Sequence, residues 1–134
     1  MLPSNIDPTN VKVEKSGGMK GDLGKDRWDL VYWPFLIGMV RVLTFGAVKY
    51  TDNNWKKLSR HRIEGALMRH WTEYKTEGKL DKETKMSHLF HMGCCLMFLC
   101  WFDDQNQKSY LVNPYTGARE ELPNKYEEGE AYYK

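Results

Sequence analysis

The sequence predicts an all-α fold. It should form a compact helical bundle of three main helices, with an extended N-terminal arm and an irregular C-terminal tail. Two observations point there. Apolar residues recur at helical spacing in separated segments, and the connections between those segments are short and polar. The length of 134 residues suits a single domain. A chain of that size buries about two-thirds of its unfolded surface. With 41% hydrophobic and 28% charged residues, the composition excludes a wholly disordered or collagenous chain.

Residues 1 to 24 are rich in Pro, Gly, Asn and Lys, without sustained periodicity, and read as an extended arm. Residues 25 to 104 form the helical domain, and residues 105 to 134 the irregular tail. The first helix is expected over 34–50, because Pro34 suits a first helical position and Phe35, Met39, Val42, Leu43 and Ala47 follow helical spacing. Gly46 implies close packing or a local break. After the polar loop TDNNWKKLS, Ser59 is an N-cap candidate for a second helix over 60–75, with Ile63, Ala66, Leu67 and Trp71 on its buried side. A charged connection over 76–85 leads to a third helix over 86–103. That helix is apolar nearly all round, so other protein should surround it, at the centre of a bundle or at a subunit interface. The tail carries turn chemistry, NPYTGAREELPN, compatible with a small hairpin or an oligomer contact.

Charge and cysteines narrow the function. The net charge of +2 gives no general attraction to duplex nucleic acid or to an anionic membrane. The apolar run from Met86 to Phe102 is broken by His88 and His91 and reads as a buried helix rather than a membrane span. Cys94, Cys95 and Cys100 crowd one apolar stretch, which suits a reducing compartment and not a disulfide framework. The opening residues, MLPSNIDPTN, have no secretory signature, so a cytoplasmic location is expected.

Two groups of residues carry chemistry. The first is His70, Glu73, Glu77, Asp81, Glu83, His88 and His91. His88 and His91 share a helix face, as do His70, Glu73 and Glu77, and antiparallel packing would bring the two faces together. Carboxylates suit Mg²⁺ or Mn²⁺, and imidazoles move the preference towards Mn²⁺, Co²⁺ or Zn²⁺. The alternative reading makes the histidine pair satisfied core polar residues and the acids a solvated loop. The second group is Lys25, Arg27, Lys49, Tyr50, Asn54 and Trp55. Its cations can grip phosphates, Asn54 can read a base edge and the rings can stack on a base. The rings can equally close one end of a bundle. No P-loop, GxGxxG, GxSxG or HExxH is present. Buried thiols carry raised pKa values, so Cys94 and Cys95 are poor nucleophiles.

Four stretches in order, GKDRWDLV, RVLTFGAVKYTDNNWKK, GALMRH and LDKETKMSHLFHMGCCLMFL, resemble the dATP/dGTP diphosphohydrolase N-terminal domain family of phages. That family is allied in function to the MazG-type all-α nucleotide pyrophosphatases. The resemblance implies hydrolysis of a deoxypurine nucleoside triphosphate, dGTP or dATP, to the monophosphate and pyrophosphate. It implies a divalent metal, Mg²⁺ or Mn²⁺ with Co²⁺ as a further option, and a homo-oligomer, dimer or tetramer, in the host cytoplasm. The ExxE…ExxD ligand pattern of the MazG-type enzymes is absent, so the ligands do not carry over from them, and the residues themselves lead to the expectation that Glu77, Asp81, His88 and His91 hold the metal. His70 and Glu83 are the proton-handling residues, and Lys25, Arg27, Lys49, Tyr50, Asn54 and Trp55 bind substrate. Three positions depart from the family pattern: Asp26 stands where Pro is usual, Lys85 where Gly is usual and Cys95 where Asn is usual. An alternative is a phage protein that sequesters a nucleotide without cleaving it.

Overall fold

A computed structural model describes residues 24–122 and the backbone of two further short segments at 12–13 and 19–20. Seven elements follow in chain order: β1 (Lys12–Val13), β2 (Met19–Lys20), α1 (Trp33–Lys49), α2 (Arg60–Thr76), α3 (His88–Asp104), β3 (Leu111–Val112) and β4 (Arg119–Glu120). The structure is thus mostly helical, with three main helices. Of the arm expected over 1–24, only the antiparallel β1–β2 pair and Gly24 are described. The rest of the arm, and the tail beyond Leu122, lie outside the described residues. No helix among the described residues is long and apolar enough to cross a membrane.

The chain divides into two compact units. Among the described residues, those up to Leu30 group with those from Ser109 on, and Val31–Lys108 hold the three helices. Lys25, Arg27 and Trp28, which the sequence placed with the helices, therefore belong to the first unit. There the Arg27 guanidinium forks onto the Asp29 carboxylate at 2.8 and 2.6 Å, and the Tyr115 hydroxyl donates to the Lys25 carbonyl at 3.4 Å. The hairpin that turn chemistry suggested is β3–β4, in register Leu111↔Glu120 and Val112↔Arg119. Its turn is tied by the Asn113 side chain, which accepts from the Tyr115 and Thr116 amides, a local bond Asn makes readily.

In the helical unit α3 is the middle element. It packs on α2 along one side and on α1 along another, while α1 scarcely touches α2. Two contacts fix α2 and α3 as antiparallel. Arg60 at the start of α2 pairs with Asp103 near the end of α3, and His70 near the end of α2 meets His88 at the start of α3. The Ser87 side chain accepts from the Leu89 amide and caps α3. Ser59 holds the cap position of α2 in extended backbone but makes no side-chain cap bond.

Glycine lets α1 approach α3. A Cβ at Gly38 would lie 2.5 Å from the Phe90 ring, and one at Gly93 would lie 2.8 Å from Phe35 and 2.9 Å from the Met39 sulfur. Gly46 does something else: a Cβ there meets nothing within 4 Å, and the helix runs through it to Lys49. The close packing or break expected at Gly46 is therefore absent, and the close approach lies eight residues earlier. The Cys94 thiol donates to the Met39 carbonyl at 3.3 Å across the same crossing.

The buried apolar side chains among the described residues are Ile63, Cys94 and Cys95, joined by Ser87 and His88. Trp71, expected inside, is 42% exposed. It stacks on Tyr74, because the inner face of α2 at this level belongs to His70 and Glu73.

The connection between α2 and α3 is a closed turn. Asp81 and Met86 are joined by an amide-to-carbonyl bond of 2.8 Å, the His88 amide reaches the Lys79 carbonyl at 2.9 Å, and Leu80 bridges Ser87. Lys85 sits in this turn at φ 62°, the left-handed region that favours glycine. Lys85→Gly is expected to stabilise the chain by about 1 kcal/mol, because relief of a left-handed side chain outweighs the added freedom of the unfolded state. Urea unfolding checks it: the midpoint rises at constant slope.

Candidate metal centre

The centre is built where the end of α2, the Asp81 turn and the start of α3 meet. Helical spacing sets His70 and Glu73 one turn apart on α2 and does the same for His88 and His91 on α3. One ligand atom from each of His70, Glu73, Asp81 and His88 lies within 4.8 Å of the others. His70 Nδ1 and His88 Nδ1 are 2.9 Å apart, a hydrogen bond in which one ring donates to the other. Asp81 Oδ1 stands 3.9 Å from His70 Nδ1, and Glu73 Oε2 stands 3.8 Å from His88 Nε2. His88 is 2% exposed, so the group has one dry wall.

His91 stands beside this group. Its ring stacks on His70, with centroids 4.4 Å apart and planes 12° from parallel. Its Nε2 contacts the Thr84 hydroxyl at 2.7 Å and lies 3.9 Å from Asp81 Oδ2. Burial, together with the neighbouring His70, pushes the His91 pKa down to about 4. Burial lowers His70 as well, against the pull of Asp81. Both rings are therefore neutral near pH 7, the form that binds metals. For Asp81, desolvation works to raise the pKa. The Thr84 amide and hydroxyl and the Glu83 amide work the other way, joined in acid by the protonated His91 ring, and together they hold the carboxyl below its usual range.

The other expected residues are placed as follows. Glu77, at the end of α2, pairs with Lys82 at 3.4 Å and is not in the four-residue group. Glu83 pairs with Lys49 at 2.7 Å, joining the end of α1 to the Asp81 turn. The Glu83 bond raises the Lys49 pKa, and the Tyr50 ring lies 5.2 Å from the ammonium. Tyr50 is 59% exposed. Asn54 opens a short 3-10 turn, Asn54–Lys57, after Asn53 in left-handed backbone. Trp55 stacks on Phe98 at 4.3 Å, with Trp101 and Phe102 also against its ring. Lys25 and Arg27 belong to the other unit. Burial pushes the Cys94 thiol up to about 12 and the Cys95 thiol up to about 11, so neither is a nucleophile at neutral pH.

Sequence reasoning put Glu73 on the His70 face without counting it a ligand, and it did not single out Thr84. The signals were the His70-x-x-Glu73 spacing on one helix and a Thr three residues after Asp81 in a turn.

A dATP/dGTP diphosphohydrolase of Salmonella phage PMBT28 is 36% identical over 84 residues, which is 63% of this chain and 29% of that protein. The match thus spans under a third of the relative's length. No solved structure matches the chain. The sequence model of the family described as "dATP/dGTP diphosphohydrolase, N-terminal" matches residues 15–110, which include every residue of the centre. The chain belongs to that family.

Proposed function

We propose that this chain is a metal-dependent hydrolase that splits a deoxypurine nucleoside triphosphate, dGTP or dATP, into the monophosphate and pyrophosphate in the cytoplasm of a phage-infected cell. The observation that carries the reading is the convergence of His70, Glu73, Asp81 and His88 in a chain of this family. The donor set fits a divalent ion. Two imidazole nitrogens bound to one ion at ~2.1 Å stand about 3.0–3.4 Å apart, close to the 2.9 Å between His70 Nδ1 and His88 Nδ1. Two imidazoles and two carboxylates favour Mn²⁺, Co²⁺ or Zn²⁺ over Mg²⁺. Such an ion supplies charge neutralisation and a water of lowered pKa.

On this reading His70 and Glu73 replace His91 and Glu77 as ligands, beside Asp81 and His88. His91 has its Nε2 on Thr84, and Glu77 has its carboxylate on Lys82. Lys49 binds a phosphate. Doing so takes Lys49 from Glu83, whose carboxylate is then free to accept a proton from water. Tyr50 and Asn54 contact the base. Trp55 is left out of that group because Phe98, Trp101 and Phe102 already pack on its ring. The chain works as a homo-oligomer, a reading supported by the exposure of Ile37, Val40, Leu96 and Met97 on α1 and α3.

The test is pyrophosphate release from each of the four dNTPs with Mg²⁺, Mn²⁺ and Co²⁺ in turn. Release from a purine substrate, abolished by chelator, is expected. A folded sample that releases none from any of them overturns the reading.

A further inference from the structure

We propose that Thr84 is the positioning residue of this centre: its hydroxyl fixes the tautomer of His91 and commits one carboxylate oxygen of Asp81, so that the other oxygen faces the His70–His88 pair. The role at the metal rests on the metal-centre reading above, and the tautomer does not.

The argument is an accounting of one hydroxyl. A threonine hydroxyl has one proton to give and two lone pairs to receive. Thr84 Oγ1 has three neighbours at hydrogen-bond distance: the Met86 amide at 3.2 Å, Asp81 Oδ2 at 3.2 Å and His91 Nε2 at 2.7 Å. The amide can only donate, so it takes one lone pair. The ionised carboxylate can only accept, so it takes the proton. One lone pair is left for His91, whose Nε2 must therefore carry the hydrogen. The opposite assignment, with the hydroxyl donating to His91, would set two oxygens with no proton between them at 3.2 Å.

Asp81 completes the device. Its Oδ2 receives the Glu83 amide at 3.0 Å, the Thr84 amide at 2.8 Å and the Thr84 hydroxyl. Among the described residues no hydrogen-bond donor reaches Oδ1, the oxygen that faces His70 Nδ1 at 3.9 Å. One carboxylate oxygen is thus tied down so that the other is aimed. His91, held through Nε2, lies flat on His70 and limits how that ring can turn. Supporting hydrogen bonds of this kind orient metal ligands and typically change affinity 10–100-fold when removed.

The experiment compares Thr84→Val and Thr84→Ser with the unaltered chain. Two readouts are taken: Co²⁺ affinity by chelator competition with the visible absorption of bound Co²⁺, and the His91 tautomer by ¹⁵N NMR on metal-free protein. The expected results are an Nε2–H tautomer in the unaltered chain, its loss in Thr84→Val, a Co²⁺ affinity about 10–100-fold weaker in that variant, and recovery of both in Thr84→Ser. Equal Co²⁺ affinity and an unchanged tautomer in Thr84→Val overturn the proposal. So does a Thr84→Ser variant as impaired as Thr84→Val, since the methyl and not the hydroxyl would then matter. Should the unaltered chain bind no Co²⁺, the metal reading falls, and the tautomer comparison alone decides the role of Thr84. If Thr84→Val fails to fold, the serine variant and the tautomer of the unaltered chain decide it.

Discussion

His88→Ala is expected to abolish metal binding and, with it, turnover. The ring it removes is buried and supplies the nitrogen that meets His70 Nδ1 at 2.9 Å. Loss of a direct ligand should exceed the 10–100-fold typical of supporting residues, so at least ~100-fold in Co²⁺ affinity is expected. A second cost falls on stability. His70 Nδ1 loses its partner in a partly buried site, which is worth about 1–3 kcal/mol, and the missing ring leaves a void against α2. Chelator competition and urea unfolding separate the two effects. Co²⁺ affinity within a few-fold of the unaltered chain would remove His88 from the ligand set. A large loss of stability at unchanged affinity would make it a packing residue.

Gly38→Ala should be among the most destabilising single-methyl changes in the helical unit. The added carbon would stand 2.5 Å from the Phe90 ring, a distance that real Cβ contacts do not reach. Phe90 also meets Phe35, at 6.1 Å between ring centroids, so moving its ring disturbs that contact too. Overpacking of this kind costs about 1–3 kcal/mol. The alanine's better helix propensity returns under about 1 kcal/mol. Gly46→Ala is the control, since nothing lies within 4 Å of its Cβ and the propensity gain stands alone. Opposite signs for the two variants in thermal unfolding are expected. A neutral Gly38→Ala would show that α1 and α3 can slide apart without loss.

The helices were legible because their signals are local. Helical spacing and Pro34 give α1 to within one residue at each end, and α2 likewise. At the start of α3 the sequence ran two residues early, because Met86 and Ser87 continue the apolar run but close the Asp81 turn instead. The centre was partly legible for the same reason. The faces of His70, Glu73, His88 and His91 follow from spacing on a helix. What spacing cannot supply is a choice among acids, which depends on where a turn folds back. The turn commits Asp81 to Thr84 and the Glu83 amide, hands the Glu83 side chain to Lys49 and leaves Glu77 with Lys82. The fate of Trp55 was hidden for a further reason: Phe98 is 43 residues away, and only packing brings the rings together.

The middle position of α3 sets how the helical unit comes apart. Because α1 rests on α3 and scarcely touches α2, it can lift away by giving up its α3 contacts and the exposed Lys49–Glu83 pair, without opening the α2–α3 seam that carries the centre. The unit should therefore open in two stages of different free energy rather than one. Amide protons of α1 should exchange with solvent ahead of those of α2 and α3. A bound ion should slow exchange along the seam and leave α1 nearly as before.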